Sequence, residues 1–223
     1  MIIGICGFIG GGKDTIADYL VNVQHFRRVS FAGALKDAVS SVFGWDREML
    51  EGRTQESRNW REQRDEWWTQ RLGREVTPRL ILQLWGTEVC RQGYHDEIWV
   101  ASLENRLRNS QDNVVITDCR FPNEIKSIRN AGGYVIRVCR GAEPEWYDLA
   151  VAANHGSWAA RQKLDTYQIH PSETAWVGTE FDAVINNTGS FDHTFQQVET
   201  AVRTFQGISD LLQDLPVAMV DHS

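Results

Sequence analysis

The residues best suited to chemistry stand near the start of the chain, where a glycine-rich run ends in a lysine, an aspartate and a threonine. The run Gly7-Phe8-Ile9-Gly10-Gly11-Gly12-Lys13-Asp14-Thr15 follows an apolar segment, residues 1–6, and precedes an amphipathic helical pattern over residues 15–23. Glycines let several backbone N–H groups converge on an anion, and the following helix adds the positive end of its dipole. A strand, such a loop and a helix in this order predict a phosphate-binding loop.

One position departs from the usual pattern of such a loop. Asp14 follows the lysine directly, where a serine or threonine is expected, and the hydroxyl comes one residue later at Thr15. The carboxylate could bind a metal ion directly, bind it through water, or face an acceptor phosphate. The alternative for the whole run is a glycine-rich turn that only starts a helix. The residues expected to bind the donor nucleotide are Gly7, Gly10, Gly11, Gly12, Lys13, Asp14 and Thr15, the last two as candidate metal ligands.

A second candidate site follows the apolar run of residues 114–117. The run ends in Asp118, and a carboxylate at the end of a buried strand is what a magnesium site beside a phosphate-binding loop requires. Arg120 follows two residues later, where it could neutralise a transferring phosphoryl group or hold an acceptor phosphate. Glu124, in the first turn of the next helix, is expected to orient that arginine. The alternative is a strand end with a capping aspartate and a surface salt bridge.

A third group lies on a predicted helix that begins with a Thr-Pro pair at residues 77–78. The helical period places Arg79, Gln83 and either Gly86 or Thr87 on one face. A guanidinium, an amide and a hydroxyl would suit the phosphate and base edge of a nucleotide. A solvated helix face is the alternative, and periodicity does not decide between the two.

Apolar strand-like runs alternate with helical patterns along the chain. This alternation predicts parallel strands joined by right-handed crossovers, which gives a three-layer α/β sandwich with a central parallel sheet flanked by helices. Ligands bind at the carboxyl ends of the strands in such a fold. We expect a single domain over residues 1–223. The predicted strands are residues 2–6, 28–31, 114–117, 134–139 and 183–185.

The stretch of residues 51–76 is charged and rich in tryptophan, and it predicts a helical insert. Trp60 precedes Trp67 and Trp68 by seven and eight residues. This spacing favours one helical face of a hairpin, used for packing rather than as a base-stacking platform.

Residues 140–180, in round bounds, are interpreted as a lid, because phosphoryl transfer between nucleotides has to exclude water. Arg140, where the segment begins, is a candidate contact for the phosphates or adenine of the donor. His170 and Glu173 are a candidate hinge clasp, although a lone histidine is more often structural than catalytic.

The composition favours an enzyme of small molecules in the cytoplasm. The 223 residues are 42% hydrophobic and carry 23 basic and 30 acidic side chains, a net charge of −7. That balance disfavours a nucleic-acid binder that relies on a broad positive surface. The sequence predicts neither a membrane span nor a signal peptide. The four cysteines stand far apart, which indicates buried thiols in a reducing compartment.

Together these motifs resemble the deoxynucleoside monophosphate kinases of tailed bacteriophages, within the P-loop kinases related to adenylate and guanylate kinase. The resemblance covers most of the chain, but neither the tryptophan-rich stretch nor the tail after Gly207. The motifs that carry it are Gly12-Lys13-Asp14-Thr15, in which the family also has the aspartate; Phe31-Ala32 with Leu35-Lys36-Asp37; the helix of Arg79, Leu82, Gln83, Gly86 and Thr87 with Trp99; Asp118-x-Arg120-x-x-Asn123-Glu124; His170-Pro171-Ser172-Glu173; and Asn186-Asn187-Thr188-Gly189-Ser190.

The resemblance implies a P-loop kinase fold with a lid, ATP as donor with Mg²⁺, and a deoxynucleoside monophosphate as acceptor. It implies that Asn187 and Gly189 turn the backbone past the adenine, although an ordinary Asn-Gly-type turn is the alternative. The residues implied to bind the acceptor, besides Arg120 and Glu124, are Lys36, Arg79, Gln83, Thr87 and Trp99.

We therefore predict in-line transfer of the γ-phosphoryl group of Mg-ATP to a deoxynucleoside 5′-monophosphate, with Lys13, Asp14, Asp118 and Arg120 as catalytic residues. The product would serve phage DNA precursor synthesis in the host cytoplasm. The alternatives are another small-molecule P-loop kinase, of the dephospho-coenzyme A or phosphomevalonate type, and a non-catalytic nucleotide-binding module. The sequence leaves open which bases are accepted, whether ribose is rejected, and whether the chain forms a homodimer.

Overall fold

The structure is a computed structural model that describes residues 1–108, 110 and 112–213 of the 223. The described residues form two compact units. The sheet unit consists of residues 1–28 and 112–213, and the helical unit consists of residues 29–108 and 110. The predicted single domain over residues 1–223, with its insert and its lid, stays a prediction, and its last ten residues lie outside the described part.

A five-stranded sheet has the order β2-β3-β1-β4-β5. Its strands are β1 (Ile2–Cys6), β2 (Arg27–Val29), β3 (Val114–Ile116), β4 (Tyr134–Cys139) and β5 (Ala183–Asn186). β1 pairs in parallel with β3 and with β4, and β4 pairs in parallel with β5. The chain therefore passes from β3, on one side of β1, to β4 on the other. The carboxyl end of β1 is then the position where α/β sheets bind ligands.

The predicted strands are confirmed, with small shifts at their ends. β1 and β4 have the predicted bounds. The strand predicted at residues 28–31 is observed as β2, Arg27–Val29. The carbonyl oxygen of Ser30 accepts the N–H of Gly33 at 3.1 Å, so residues 30–31 already belong to the turn that leads into the next helix.

Helices account for most of the remaining chain. The α-helices are α1 (Lys13–Asn22), α2 (Gly33–Phe43), α3 (Arg47–Glu51), α4 (Gln55–Glu62), α5 (Glu66–Leu72), α6 (Pro78–Gln83), α7 (Ile98–Leu107), α8 (Pro122–Asn130), α9 (Tyr147–Asn154), α10 (Trp158–Asp165), α11 (Pro171–Thr174) and α12 (Phe191–Gln213), and a π-helix spans Leu84–Gln92. Within residues 1–108, 110 and 112–213, no helix has the length and apolarity to cross a membrane.

The sheet unit buries apolar side chains on both faces of the sheet. Ile3 and Ile5 of β1 pack with residues of α1 and α12 in one core cluster. On the opposite face, a Cβ at Gly4 would lie 2.5 Å from Cδ1 of Ile128 on α8. Because successive residues of a strand point to opposite faces, helices cover the sheet on both sides. The predicted three-layer α/β arrangement is confirmed.

The helical unit has its own core, in which aromatic rings are prominent. Trp60 and Trp68 pack against this cluster of buried side chains, whereas Trp67 is 63% exposed. The interpretation of these tryptophans as one helical face is wrong, because Asp65 caps a new helix: its carboxylate accepts the N–H of Trp68 at 3.0 Å. The cluster consists of Leu35, Val39, Phe43, Trp45, Leu50, Val76 and Ile81.

The helix predicted at the Thr-Pro pair begins as expected. The hydroxyl of Thr77 accepts the N–H of Leu80 at 3.1 Å, and Pro78 is the first helical residue. From Leu84 onward the helix is a π-helix. Since a π-helix has i→i+5 hydrogen bonds, the α-helical spacing used to group residues on one face ends at Gln83.

Candidate functional site

The glycine-rich loop joins β1 to α1 at the carboxyl end of the central strand. Gly7 has a φ of 148°, and a Cβ there would lie 2.6 Å from the carbonyl oxygen of Val138 on β4. Gly12 precedes α1 with a φ of 96°. Residues with a Cβ atom rarely adopt such positive φ values, so both positions require glycine. The backbone of the loop is thus tightly packed, and it leads into the N-terminus of a ten-residue helix. This is the geometry of a phosphate-binding loop.

Asn187, which follows β5, holds this loop from the side. Its Nδ2 donates a hydrogen bond to the carbonyl oxygen of Gly11 at 3.0 Å, and its Oδ1 accepts one from Oγ1 of Thr194 at 3.2 Å. Its backbone N–H donates to the carbonyl oxygen of Cys139 at 2.8 Å. The side chain therefore braces the loop, while its expected contact with adenine stays a prediction. Gly189, two residues later, is exposed.

The side chain of Lys13 lies over the loop that it follows. Its Nζ donates to the carbonyl oxygens of Gly7 at 2.8 Å and of Phe8 at 2.9 Å. Burial lowers the pKa of Lys13, and the positive charge of Arg120 lowers it further, while Glu173 and Asp14 act in the opposite direction. These charges therefore share one electrostatic environment around the loop.

Asp14 is paired with an arginine that the sequence analysis did not single out. Nη1 of Arg28 lies 3.2 Å from the Asp14 carboxylate, and Nη2 lies 2.9 Å from Asp18. Arg28 also donates to the backbone carbonyl oxygen of Asp14 at 3.2 Å. Carboxylates at i and i+4 share one helix face and favour a cation nearby, but this spacing does not identify Arg28 as that cation.

Asp118 and Arg120 follow β3, the strand beside β1. The guanidinium of Arg120 donates to Glu173 at 2.5 Å and to the hydroxyl of Ser172 at 3.4 Å. The same hydroxyl lies 2.8 Å from Nδ1 of His170. These contacts connect the first turn of α11 with Arg120, and the role of His170 and Glu173 as a hinge clasp stays a prediction. Asp118, half-buried, lies at the same edge of the sheet as the loop.

Glu124 holds the backbone of the arginine segment. Its carboxylate, on a residue only 3% exposed, accepts the N–H of Arg120 at 2.8 Å and of Phe121 at 3.1 Å. It therefore orients Arg120 through the main chain, and Glu173 is the carboxylate that meets the guanidinium. The sequence predicts that Glu124 orients Arg120, but it does not specify whether Glu124 contacts the main chain or the guanidinium.

An aromatic cluster connects the loop with the segment interpreted as a lid. The ring of Phe8 lies 4.8 Å from Trp176, 5.4 Å from Trp146 and 6.2 Å from Tyr147, measured between centroids. Arg137 places its guanidinium over Tyr147 at 4.7 Å. These contacts connect the start of α9 and the chain after α11 with the loop, and the role of this segment as a lid stays a prediction.

Several predicted donor-site residues have few contacts. Arg140 is exposed and makes no hydrogen bond or ion pair with the described part of the chain. Gly10 is exposed, with a φ of 78°, and Thr15 is half-buried in the first turn of α1. Asp14, Thr15 and Asp118 offer the oxygen ligands that Mg²⁺ prefers, usually completed by substrate phosphates. Within the described residues, no three His, Cys, Asp or Glu side chains gather into a metal cluster.

The predicted acceptor residues other than Arg120 and Glu124 lie in the helical unit. Arg79, Gln83 and Thr87 are exposed, the first two on α6 and the third on the π-helix. Nε of Arg79 lies 3.3 Å from the carboxylate of Glu62 on α4. Arg79 and Gln83 therefore share an exposed face of α6, whereas Thr87 lies on a helix of different period, and their contact with an acceptor stays a prediction.

Two further acceptor candidates are engaged inside the helical unit. Lys36 is 13% exposed and forms an ion pair of 2.7 Å with Glu51. The indole N–H of Trp99 donates to the carbonyl oxygen of Gly86 in the π-helix at 2.9 Å. This hydrogen bond occupies the N–H of Trp99, and the indole ring packs against the core cluster of the helical unit.

Comparisons with known proteins identify the family. No family model matches the chain. A protein of Acanthamoeba polyphaga mimivirus, named as a deoxynucleotide monophosphate kinase, is 34% identical over 183 residues, which cover 76% of this chain and 86% of that protein. The chain belongs to the deoxynucleoside monophosphate kinase family. The deoxynucleoside-5′-monophosphate kinase of Escherichia phage T5 is 30% identical over 179 residues, 58% of this chain and 72% of that kinase.

Solved structures similar to this family member are more distant. They include TT1252 from Thermus thermophilus, with 16% identity, a TM-score of 0.44, and coverage of 92% of this chain and 97% of that one. Shikimate kinase from Aquifex aeolicus has 11% identity, a TM-score of 0.43, and the same two coverages.

Proposed function

We propose that the protein transfers the γ-phosphoryl group of ATP, bound with Mg²⁺, to a deoxynucleoside 5′-monophosphate. The observation that carries the proposal is the loop between β1 and α1, with Lys13 folded over it and Arg120 within its electrostatic reach. Membership of the deoxynucleoside monophosphate kinase family supports the choice of acceptor. The substrates are then small nucleotides, and DNA precursor synthesis in the cytoplasm of the host cell is the setting that the viral relatives favour.

The donor-site residues act by position and charge. The backbone N–H groups of the loop and the ammonium of Lys13 bind the donor phosphates. Arg120 neutralises the charge that spreads over the transferring phosphoryl group, and preorganised donors of this kind supply a large share of catalysis. Mg²⁺, held by oxygen atoms of Thr15, Asp118 and Asp14, would supply charge neutralisation when bound. Arg140 and Gly189 are proposed to contact the donor.

Other residues are proposed to recognise the acceptor. Arg79 suits the acceptor phosphate, because its planar fork matches phosphate oxygens in pairs. Gln83 and Thr87 offer hydrogen bonds to a base or sugar, and Trp99 is proposed to contact the acceptor as well. Lys36 and Glu124 complete this set, the latter by holding the main chain of Arg120.

A direct assay tests the proposal. The purified protein is incubated with Mg-ATP and each common deoxynucleoside or ribonucleoside monophosphate in turn, and ADP and diphosphate product are measured. Diphosphates from one or more deoxynucleotides are the expected result, and the pattern gives the base and sugar preference. Turnover of dephospho-coenzyme A or phosphomevalonate instead would favour another small-molecule kinase. ATP binding without any phosphoryl transfer would favour a binding module.

A further inference from the structure

Arg61, on α4 in the tryptophan-rich stretch, has an incompletely bonded guanidinium. Its Nε is buried and has no hydrogen-bond partner among the described residues. The contact of Nη1 with the carbonyl oxygen of Leu50, at 3.5 Å, is at the long limit for a hydrogen bond. Leaving a buried donor unpaired costs free energy, so an unpaired donor on a charged side chain requires an explanation.

The guanidinium of Arg61 is held in place by close packing. A Cβ at Gly52 would lie 2.1 Å from Cζ of Arg61, and Gly52 has a φ of 69°. The same glycine offers its carbonyl oxygen to Nε of Arg58 at 3.0 Å. Glycine at position 52 therefore gives Arg61 room to lie flat against the main chain.

Two helices of the helical unit that pack together carry three arginines, Arg58 and Arg61 on α4 and Arg79 on α6. Burial lowers the pKa of Arg61, and the positive charges of Arg79 and Arg58 lower it further, while the carboxylates of Glu62 and Glu51 act in the opposite direction. Like charges brought together in this way destabilise one another unless an anion lies between them.

The carboxylates nearby do not match this positive charge. Glu62 is largely exposed and lies 3.3 Å from Arg79. Glu51 already forms ion pairs with Lys36 at 2.7 Å and with Arg47 at 2.5 Å. The cluster of Arg58, Arg61 and Arg79, here called the arginine cluster, is thus suited to a small anion with several oxygen atoms.

We propose that Arg61 acts with Arg79 to bind the 5′-phosphate of the acceptor nucleotide. This assignment rests on the proposed function, because the acceptor of that reaction carries the phosphate. A terminal phosphate offers oxygen atoms in the paired geometry that arginine matches best. The role of the tryptophan-rich stretch is then to carry one of the two phosphate-binding arginines.

Ligand binding by the full-length protein tests the assignment. Arg61→Gln keeps most of the packed stem and removes the charge, and Arg61→Lys keeps the charge and removes the fork. Arg71→Gln, an exposed arginine on the neighbouring helix α5, is the matched control. Calorimetry measures the affinity of each variant for a deoxynucleoside monophosphate and for the same deoxynucleoside without phosphate, and thermal unfolding checks the fold.

We expect Arg61→Gln to weaken binding of the monophosphate by about tenfold to a hundredfold, the usual size of a lost charged hydrogen bond. Binding of the deoxynucleoside should be unchanged, Arg61→Lys should recover part of the loss, and Arg71→Gln should match the parent protein. Unchanged monophosphate binding in Arg61→Gln would overturn the assignment. Equal weakening of both ligands, with a lower unfolding temperature, would show that Arg61 is structural and would overturn it as well.

A second probe separates this assignment from the proposed function. If the parent protein binds no nucleoside monophosphate, the proposed function is wrong, and inorganic phosphate then tests the arginine cluster by itself. Phosphate binding that is lost in Arg61→Gln but kept in Arg71→Gln would support an anion site with another ligand class. Phosphate binding that is absent, or equal in both variants, would end the proposal.

Discussion

Lys13 and Arg120 in the sheet unit, which we assign to catalysis, have protein partners that part of the Arg61 guanidinium in the helical unit lacks. In the sheet unit, Lys13 donates to two carbonyl oxygens of its own loop, and Arg120 pairs with Glu173. In the helical unit, Arg61 keeps a buried donor without a partner beside Arg79. One unit supplies protein partners for the charges that we assign to catalysis, and the other leaves part of the charge that we assign to binding unpaired.

The difference teaches how each group would respond to a ligand. A charged side chain that already has a protein partner must give up that partner to bind a ligand. Until the ligand binds, the protein partner holds the side chain in position. A guanidinium that the protein pairs incompletely gives up fewer hydrogen bonds when it binds an anion, so its contribution to affinity is larger. Substitutions of the paired charges in the sheet unit should therefore change rate or stability, and substitution of Arg61 in the helical unit should change affinity.

The largest effect is expected at Lys13. Lys13→Ala removes the ammonium from the loop, and we expect the rate of phosphoryl transfer to fall on the order of a hundredfold or more, as for other preorganised charge donors. Steady-state formation of ADP measures it. Lys126→Ala, on the exposed side of α8, is the matched control. A normal rate in Lys13→Ala would remove this residue from the catalytic set.

Glu124 tests how strongly the sheet unit depends on a buried carboxylate. Glu124→Ala leaves the N–H groups of Arg120 and Phe121 without their acceptor, so the free energy of unfolding should fall by about 1–3 kcal/mol. Urea denaturation followed by circular dichroism measures the change. Glu124→Gln keeps an acceptor oxygen and should lose less. Equal stability of Glu124→Ala and the parent protein would contradict the structural role.

The Arg120–Glu173 ion pair should contribute less, because Arg120 is 35% exposed. Glu173→Gln leaves the guanidinium with a weaker, neutral partner, and we expect a loss of about 1 kcal/mol in the free energy of unfolding. The same denaturation experiment measures it. If Glu173→Gln were as stable as the parent protein, the Arg120–Glu173 ion pair would not stabilise the fold. The contrast between paired charges in the sheet unit and the unpaired donor of Arg61 would then have no consequence for stability.

Much of the fold was predictable from local patterns. The apolar runs gave β1 and β4 with their bounds, and the Thr-Pro pair gave the start of α6. The π-helix from Leu84 was not predicted, and a hydrogen bond from Trp99, outside that helix, reaches Gly86 within it. Period and capping are encoded locally, whereas a change of helical period depends on distant packing.

The sequence predicted which residues form the candidate site better than it predicted the hydrogen-bond and ion-pair partners of those residues. The loop and Arg120 follow from spacing within a few residues. The partners Arg28, Glu173 and Asn187 do not, because 14, 53 and 176 positions separate them from Asp14, Arg120 and Gly11. Arg61 was hidden in a stretch whose tryptophans suggested only packing. Contacts over such separations depend on the folded topology, which the order of residues does not show directly.

A smaller effect is expected at Asn187, whose amide holds the loop by one neutral hydrogen bond. Asn187→Ala should raise the KM for ATP about twofold to tenfold, the size of one such bond, while the maximal rate changes less. Thr194→Val removes the hydroxyl that orients this amide and should have an effect in the same direction but no larger. An unchanged KM for ATP in Asn187→Ala would mean that the loop keeps its shape without this brace.

The smallest effect, and the sharpest test of the comparison, is expected for the stability of Arg61→Met. Methionine keeps an unbranched apolar stem and removes a buried unpaired donor, so the free energy of unfolding should change by no more than about 0.5 kcal/mol, or should rise. Arg120→Met is the contrast, because it leaves the Glu173 carboxylate without its cation and should destabilise the protein. Urea denaturation of the two variants, side by side, measures both. If Arg61→Met lost as much stability as Arg120→Met, the guanidinium of Arg61 would be a structural partner like those of the sheet unit. If it lost none while monophosphate binding weakened, Arg61 would be a residue whose free-energy cost in folding is offset by what it contributes to binding.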